Sequence, residues 1–376
     1  MSRPRSLFGR FVPHLGLTVA AIIFALLAAE IGLRITEQHI VQQDATGVSG
    51  LFEMQPDAVT YMTRRGKRMR PNSKTLIKNH RTSHRDVVIE TNSLGFRDDE
   101  MSPVKPVDEL RVLVLGDSIT VAHYLPIEES YVQRAEHYLD ETIPGRHIEL
   151  INAGVSDIGL REEIDILEET GLLVDPDLIV LAFYLNDSRP PWGFPQEIAG
   201  RGWLRRHSVL AEKVYWVTRM RRWLREMGED RFAWVRSLDT LRWRSDEDAF
   251  RQLADLARYD WGAAWQPDSW SKIDAEFSRL DSIANRADVP VAVLIFPVAY
   301  QGSTSFIDDF PQREVKKRTA TRGWPTLDLL PLIRGENATQ YFDQCHPNTR
   351  LHDLIGKAVA GFLHDSVPVV RANASD

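Results

Sequence analysis

Short, almost solid apolar runs punctuate this chain at residues 111–116, 148–151, 178–183 and 291–296, with a weaker one at 326–329. Each is rich in Val, Ile and Leu and too short for a helix, which is the pattern of a strand buried on both faces of a parallel sheet. Between them, stretches at 127–143, 159–172, 269–287 and 348–364 mix apolar and charged residues at helical spacing. Strand and helix alternate. That order predicts an α/β fold, a three-layer α/β/α sandwich around a parallel sheet, with the ligand site beyond the carboxyl ends of the strands.

Two segments break the rhythm. Residues 15–33 form a nearly unbroken apolar run, and a helix of that length approaches the roughly 30 Å hydrocarbon thickness of a bilayer. Arg3, Arg5 and Arg10 precede it, while Glu37, Asp44 and Glu53 follow against Arg34, which places the N-terminus in the cytoplasm. The run is long for a signal-peptide core and offers no A-x-A site, so it reads as an anchor rather than a cleaved signal. The chain is thus expected in a cell inner membrane, crossing once, with its main domain periplasmic. Glu30 is the blemish, tolerable near the outer end where a carboxylate reaches the interface.

The second break follows residue 183, where about eighty residues pass before the next strand, far beyond an ordinary connection. This insertion, 188–270, holds nine of the ten tryptophans, and its early part carries Arg201, Arg205, Arg206, Lys213, Arg219, Arg221, Arg222 and Arg225 against Glu212. Leu210, Val214, Val217 and Leu224 share a helical face. It reads either as a lid whose indoles stack on sugars or line an acyl channel, or as a small core of its own with a solvated basic face. The division is then a cytoplasmic tail (1–14), an anchor (15–35), a juxtamembrane linker with a short strand at 87–90 (36–105), a main domain (106–368) carrying the helical insertion, and a tail (369–376).

Charge and cysteine narrow the classes. A formal net charge of −7 over 376 residues leaves no whole-chain basic footprint for nucleic acid. Cys345 is the single cysteine, which excludes an intramolecular disulfide and a cysteine-rich zinc site. No metal or other cofactor is called for, and the oligomeric state is not legible.

The candidate chemistry sits where strands end. Gly116-Asp117-Ser118 follows the first run and opens a helical stretch, presenting a serine at the sheet's carboxyl edge near a helix N-terminus, where an oxyanion is favoured. Asp343-Gln-Cys-His346-Pro-Asn348 precedes the last helix, with Pro347 and Asn348 starting it. Three residues apart in a turn, the carboxylate can hold the imidazole while its other nitrogen faces a nucleophile. Asn152-Ala-Gly154 and Asn186-Asp187 end two further strands, offering a backbone N–H and a side-chain amide. Taken singly, these are also an N-cap, a capping turn and turn formers. His80, His123, His147 and His364 read as surface or packing residues.

Together the four blocks resemble, in order and strand-loop context, the SGNH (GDSL-like) hydrolase family, and Asn92-Ser-Leu-Gly-Phe-Arg97 is similar to an element ahead of the domain in its membrane-tethered bacterial members. The resemblance implies a flavodoxin-like α/β fold, Ser118 as nucleophile, His346 as base, Asp343 as its orienting partner, and an oxyanion hole from Ser118, Gly154 and Asn186. Ile119 replaces the Leu of the GDSL name, and Tyr184 stands where many members have Gly, which changes the acyl side of the pocket. The G-x-S-x-G elbow of α/β-hydrolases is absent. The implied function is a serine esterase removing an acyl group, a short one such as acetyl, from an envelope glycan or lipid through an acyl-serine. An O-acyltransferase acting on an exopolysaccharide and a non-catalytic envelope assembly protein remain alternatives.

Overall fold

The computed structural model describes residues 16–34, 59–188 apart from 64, 103, 144 and 146, scattered positions between 204 and 225, 233–335 and 340–371. They fall into two compact units, one drawn from Met1–Ser49 and Ala199–Gly228, the other from Gly50–Ile198 and Glu229–Asp376. In the first, helix α1 (Gly16–Arg34) has a mean hydropathy of 2.2 and the length and composition to cross a membrane.

The second unit is built on a five-stranded parallel sheet of β5 (Glu109–Gly116), β6 (His147–Asn152), β7 (Leu178–Tyr184), β8 (Val291–Phe296) and β9 (Thr326–Asp328), ordered β6-β5-β7-β8-β9. The five apolar runs of the sequence are these five strands, within two residues at each end. Every residue of β7 and β8 is buried, because helices cover both faces: α3 (Tyr131–Thr142), α4 (Leu160–Glu169), α7 (Pro267–Ala287), α9 (Phe310–Ala320) and α11 (Thr349–Ser366). The order reverses beside β5, the switch point at which open α/β sheets hold their ligands. The expected helix at 127–143 is a single 3₁₀ turn, Ile127–Glu129, followed by α3, because the Ser130 hydroxyl accepts from Gln133 N and caps a new start.

Two expectations are corrected, and one alternative left open is narrowed. Residues 60–77, read as linker, form strands: β1 (Thr60–Thr63) pairs with β2 (Gly66–Met69), and β3 (Lys74–Ile77) with β4 (Val87–Glu90), the strand expected at 87–90, both antiparallel. The basic cluster there is ion-paired to α4 and its preceding loop, with Arg65 on Asp165 and Glu168, Lys67 on Asp157 and Arg68 on Glu169. Secondly, the later part of the insertion packs as core, through the short α5 (Ala233–Ser237) and α6 (Glu247–Leu256). Trp234, Trp243, Trp261 and Trp270 are buried, and Trp261 stands edge-on to Trp234 and Trp265 and against Phe250 and Tyr300. A buried indole offers no face to a sugar, so the small-core reading holds for these four; Trp192, Trp203, Trp216 and Trp223 lie outside the described residues. Thirdly, Asn348 is the N-cap of α11, its side chain accepting from Leu351 N, and Pro347 precedes the helix.

Candidate active site

Ser118, the candidate nucleophile, opens a four-residue helix, α2 (Ser118–Val121), immediately beyond β5. Asp117 is its N-cap and accepts from Ile119 N at 2.9 Å, and Ala122 ends it in the left-handed region at φ 46°. Ser118 N–H is therefore a first-turn amide with no intrahelical acceptor. Arg97, fully buried, fixes the far end: its guanidinium donates to the carbonyls of Val121, Ala122 and Leu125, each at 2.7 Å, and to Val88 O at 3.3 Å. Burial lowers its pKa to about 10, still a cation at neutral pH. The Asn92–Arg97 turn thus has a structural task. Asn92 Oδ1 accepts from Leu94 N and Phe96 N at 3.0 Å, and Gly95 adopts φ 80° where a Cβ would crowd Met69 O.

His346 reaches this segment from the turn before α11. Its Nε2 lies 3.0 Å from Ser118 Oγ, and its Nδ1 lies 2.6 Å from Asp343 Oδ2. Because an ionised carboxylate only accepts, Nδ1 carries the proton and Nε2 is left to accept from the serine. Asp343 Oδ1 accepts in turn from the backbone amides of Cys345 and His346, both at 2.9 Å. Burial alone would raise the Asp343 carboxyl, but His346 and the two amides outweigh it and hold it below the ordinary carboxylate range. The sequence-predicted Ser118, His346 and Asp343 thus form one continuous hydrogen-bonded chain. Asp343, Cys345 and His346 also bring a carboxylate, a thiol and an imidazole within 4.8 Å of one another. Burial pushes the Cys345 thiol up.

The two remaining positions part company. Asn186 sits in the 3₁₀ turn Leu185–Ser188 that ends β7, next to β5 in the sheet. Its Oδ1 is buried without a hydrogen bond, and its amide donates to no acceptor among the described residues. Gly154 is corrected: its N–H donates to Asn152 Oδ1 at 3.1 Å, so that donor is already engaged. A side chain there would overlap the Val121 amide nitrogen, so the glycine is needed for close packing of two backbones. Tyr184, the last residue of β7, is buried with its hydroxyl unbonded.

Several contributors went unread in the sequence. Asn152, fully buried, donates from Nδ2 to Thr120 O at 2.8 Å and so ties the β6 loop to the nucleophile helix; an Asn two residues before a Gly was its signal. Tyr124 packs edge-on against His346 at 4.8 Å between ring centres, and its hydroxyl bonds His352 Nε2 at 2.8 Å. His352 Nδ1 accepts from Tyr131 N, and burial lowers its pKa to about 3, so it is neutral. His80 and His123 pack beside Tyr124, with His123 Nδ1 2.7 Å from Ser156 Oγ, whereas His147 is exposed and His364 half-buried. Glu163, fully buried on α4, has neither oxygen bonded among the described residues. Burial first, then the charges of Asp187 and Asp117, push its carboxyl well up.

No family model matches the chain, and no curated protein matches it. Among solved structures it is similar to an acetyl xylan esterase, at 14% identity over 69% of this chain and 100% of that one, with a TM-score of 0.39. A catalytic mutant of an acetylxylan esterase from Geobacillus stearothermophilus matches at 13% identity over 71% and 96%, TM-score 0.40. The lipase/acylhydrolase from Enterococcus faecalis matches at 14% over 68% and 95%, TM-score 0.36. These scores are low, and the chemistry of the site stands on the contacts at the sheet edge. The four sequence blocks that carry the resemblance to the SGNH hydrolases all lie in the unit that holds this sheet.

Proposed function

We propose that this protein is a membrane-anchored serine esterase that removes a short acyl group from an envelope glycan or lipid. One observation carries the reading: Ser118 Oγ, His346 Nε2 and Nδ1, and Asp343 Oδ2 are linked through contacts of 3.0 and 2.6 Å at the carboxyl end of β5, beside the switch point of the sheet. Ser118 Oγ attacks the acyl carbonyl carbon as its proton passes to His346 Nε2. The oxyanion receives Ser118 N–H and the Asn186 amide. The tetrahedral adduct collapses by expelling the alcohol, which takes the proton back from His346. Water, activated by the same imidazole, then attacks the acyl-serine and releases the acid. Asp343 keeps the proton on Nδ1 throughout and stabilises the imidazolium.

A short acyl group is supported by Tyr184, a bulky side chain buried at the end of β7 two residues before Asn186. The anchor reading is supported by α1 and by the arginines before it, a bias that favours an N-terminus inside and a site outside the cytoplasm. The test is covalent labelling of the full chain in detergent by a fluorophosphonate, with p-nitrophenyl acetate turnover alongside. The parent should be labelled and active. Ser118→Ala should be unlabelled and inactive while melting at the parental temperature. Labelling of Ser118→Ala, or its turnover at the parental rate, would overturn the assignment.

A further inference from the structure

Glu30 is the one acidic residue within α1, and a carboxylate in an apolar helix calls for a partner. The structure supplies it from 178 to 180 residues further along the chain. Ser208 Oγ donates to Glu30 Oε2 at 2.8 Å, Val209 N to Oε1 at 3.0 Å and Leu210 N to Oε2 at 2.9 Å. Ser208 Oγ also accepts from Ala211 N at 3.0 Å, which makes it the N-cap of a helical segment whose first two free amides are taken by Glu30. Arg34, one turn on, holds the same carboxylate at 2.6 Å. The blemish in the apolar run is therefore a docking point, and it lies at the end of α1 away from the N-terminus.

What is docked there is strongly basic. Residues 201–225 carry eight Arg and Lys against Glu212. Arg221, Arg222 and Arg225 are exposed, and Leu204 and Val214 are 61% and 52% exposed. Arginines with uncovered aliphatic side chains, starting at the level where an apolar helix leaves the hydrocarbon, match a bilayer surface of negative headgroups.

We propose that the segment starting at Ser208 is a membrane-surface element, pinned to the outer end of α1 by Glu30 and held by its arginines on anionic lipid. It rests on the anchored reading of α1. The protein then has two attachments to the bilayer, a span and a surface contact, and the second comes from within the insertion that follows β7.

The segment's own arginines report the contact through trypsin. The full chain is reconstituted in phosphatidylcholine vesicles with and without phosphatidylglycerol, and cleavage after Arg221, Arg222 and Arg225 is followed by mass spectrometry against exposed Arg81 of the other unit. Phosphatidylglycerol should slow cleavage at the three arginines about tenfold or more and leave Arg81 unchanged, and high salt should reverse the protection. Glu30→Ala should weaken the protection, since the segment loses its pin. Equal cleavage in both lipids, with the chain still resisting alkaline extraction, overturns the surface contact alone. Protection undiminished in Glu30→Ala overturns the pin. A chain released by alkaline extraction overturns the anchor and the surface element together.

Discussion

Asp343→Asn leaves the number of heavy atoms in the site unchanged and yet should disable it. Both backbone amides that hold this side chain, Cys345 N and His346 N, donate to the same oxygen, Oδ1, at 2.9 Å. The amide oxygen of an asparagine is therefore drawn to that place, and its NH₂ group takes the place of Oδ2, 2.6 Å from His346 Nδ1. Two donors cannot face each other at that distance. The imidazole must give up the Nδ1 proton and carry it on Nε2, where it points at Ser118 Oγ and cannot receive the hydroxyl proton. Loss of the correct tautomer costs roughly 10⁴-fold in kcat, about 5 kcal/mol of barrier. The turn keeps both backbone hydrogen bonds, so the fold should be intact. Turnover of p-nitrophenyl acetate by the purified full chain, with thermal melting by circular dichroism, checks both halves. If the variant stayed within about tenfold of the parent, Asp343 would not be setting the tautomer and the triad reading would have to be abandoned.

Asn186→Ala should lower kcat roughly 10²-fold with KM little changed, as for loss of one oxyanion donor; steady-state kinetics showing the loss in KM instead would make it a binding residue. Stability should also depend on pH through Glu136, whose carboxyl burial raises from 4.5 to about 8 while Leu150 N donates to it at 2.7 Å. A raised folded pKa stabilises the protonated form, so this contribution is full below 4.5 and is lost as pH rises through about 8. His80 and His352, lowered by burial to about 4 and about 3, act in the opposite direction. Their contribution is present above the ordinary 6.5 and fades as pH falls. Glu136→Gln should therefore flatten the alkaline side of the Tm–pH curve and leave the acidic side as it is. An unchanged alkaline slope would show that Glu136 is not buried in its neutral form.

How much of the fold and site was legible followed from where the signal is local. The sheet was, because β7 and β8 are buried on both faces and must be apolar throughout. Ser118, Asp343 and His346 were legible because each lies against a strand end or a helix cap that the sequence marks. Of the two hairpins only β4, expected at 87–90, was. Their strands are four residues long, and what holds Arg65, Lys67 and Arg68 is a set of carboxylates about a hundred residues away, which no window along the chain can display. Gly154 was misread for a related reason: a glycine after a strand serves equally an open N–H or a close backbone contact, and the choice was made by Asn152 Oδ1 and by Val121 from α2. Arg97 gave no sign, since an arginine is ordinarily exposed.

That buried arginine decides where the chain can be cut. The boundary suggested by the sequence pattern, near residue 106, keeps the whole sheet, all five covering helices and the three residues of the triad. It discards the cation on which the carbonyls of Val121, Ala122 and Leu125 converge. Each buried carbonyl left without a donor costs about 1–3 kcal/mol, against a domain stability of about 5–15 kcal/mol, and all three lie on or just after the short helix that carries Ser118. A fragment starting there would retain the catalytic letters and lose the clamp that holds the nucleophile's helix in place. The smallest useful piece of this protein begins ahead of the hairpins, and shorter fragments that express but do not turn over an ester would be reporting on Arg97 rather than on the proposed chemistry.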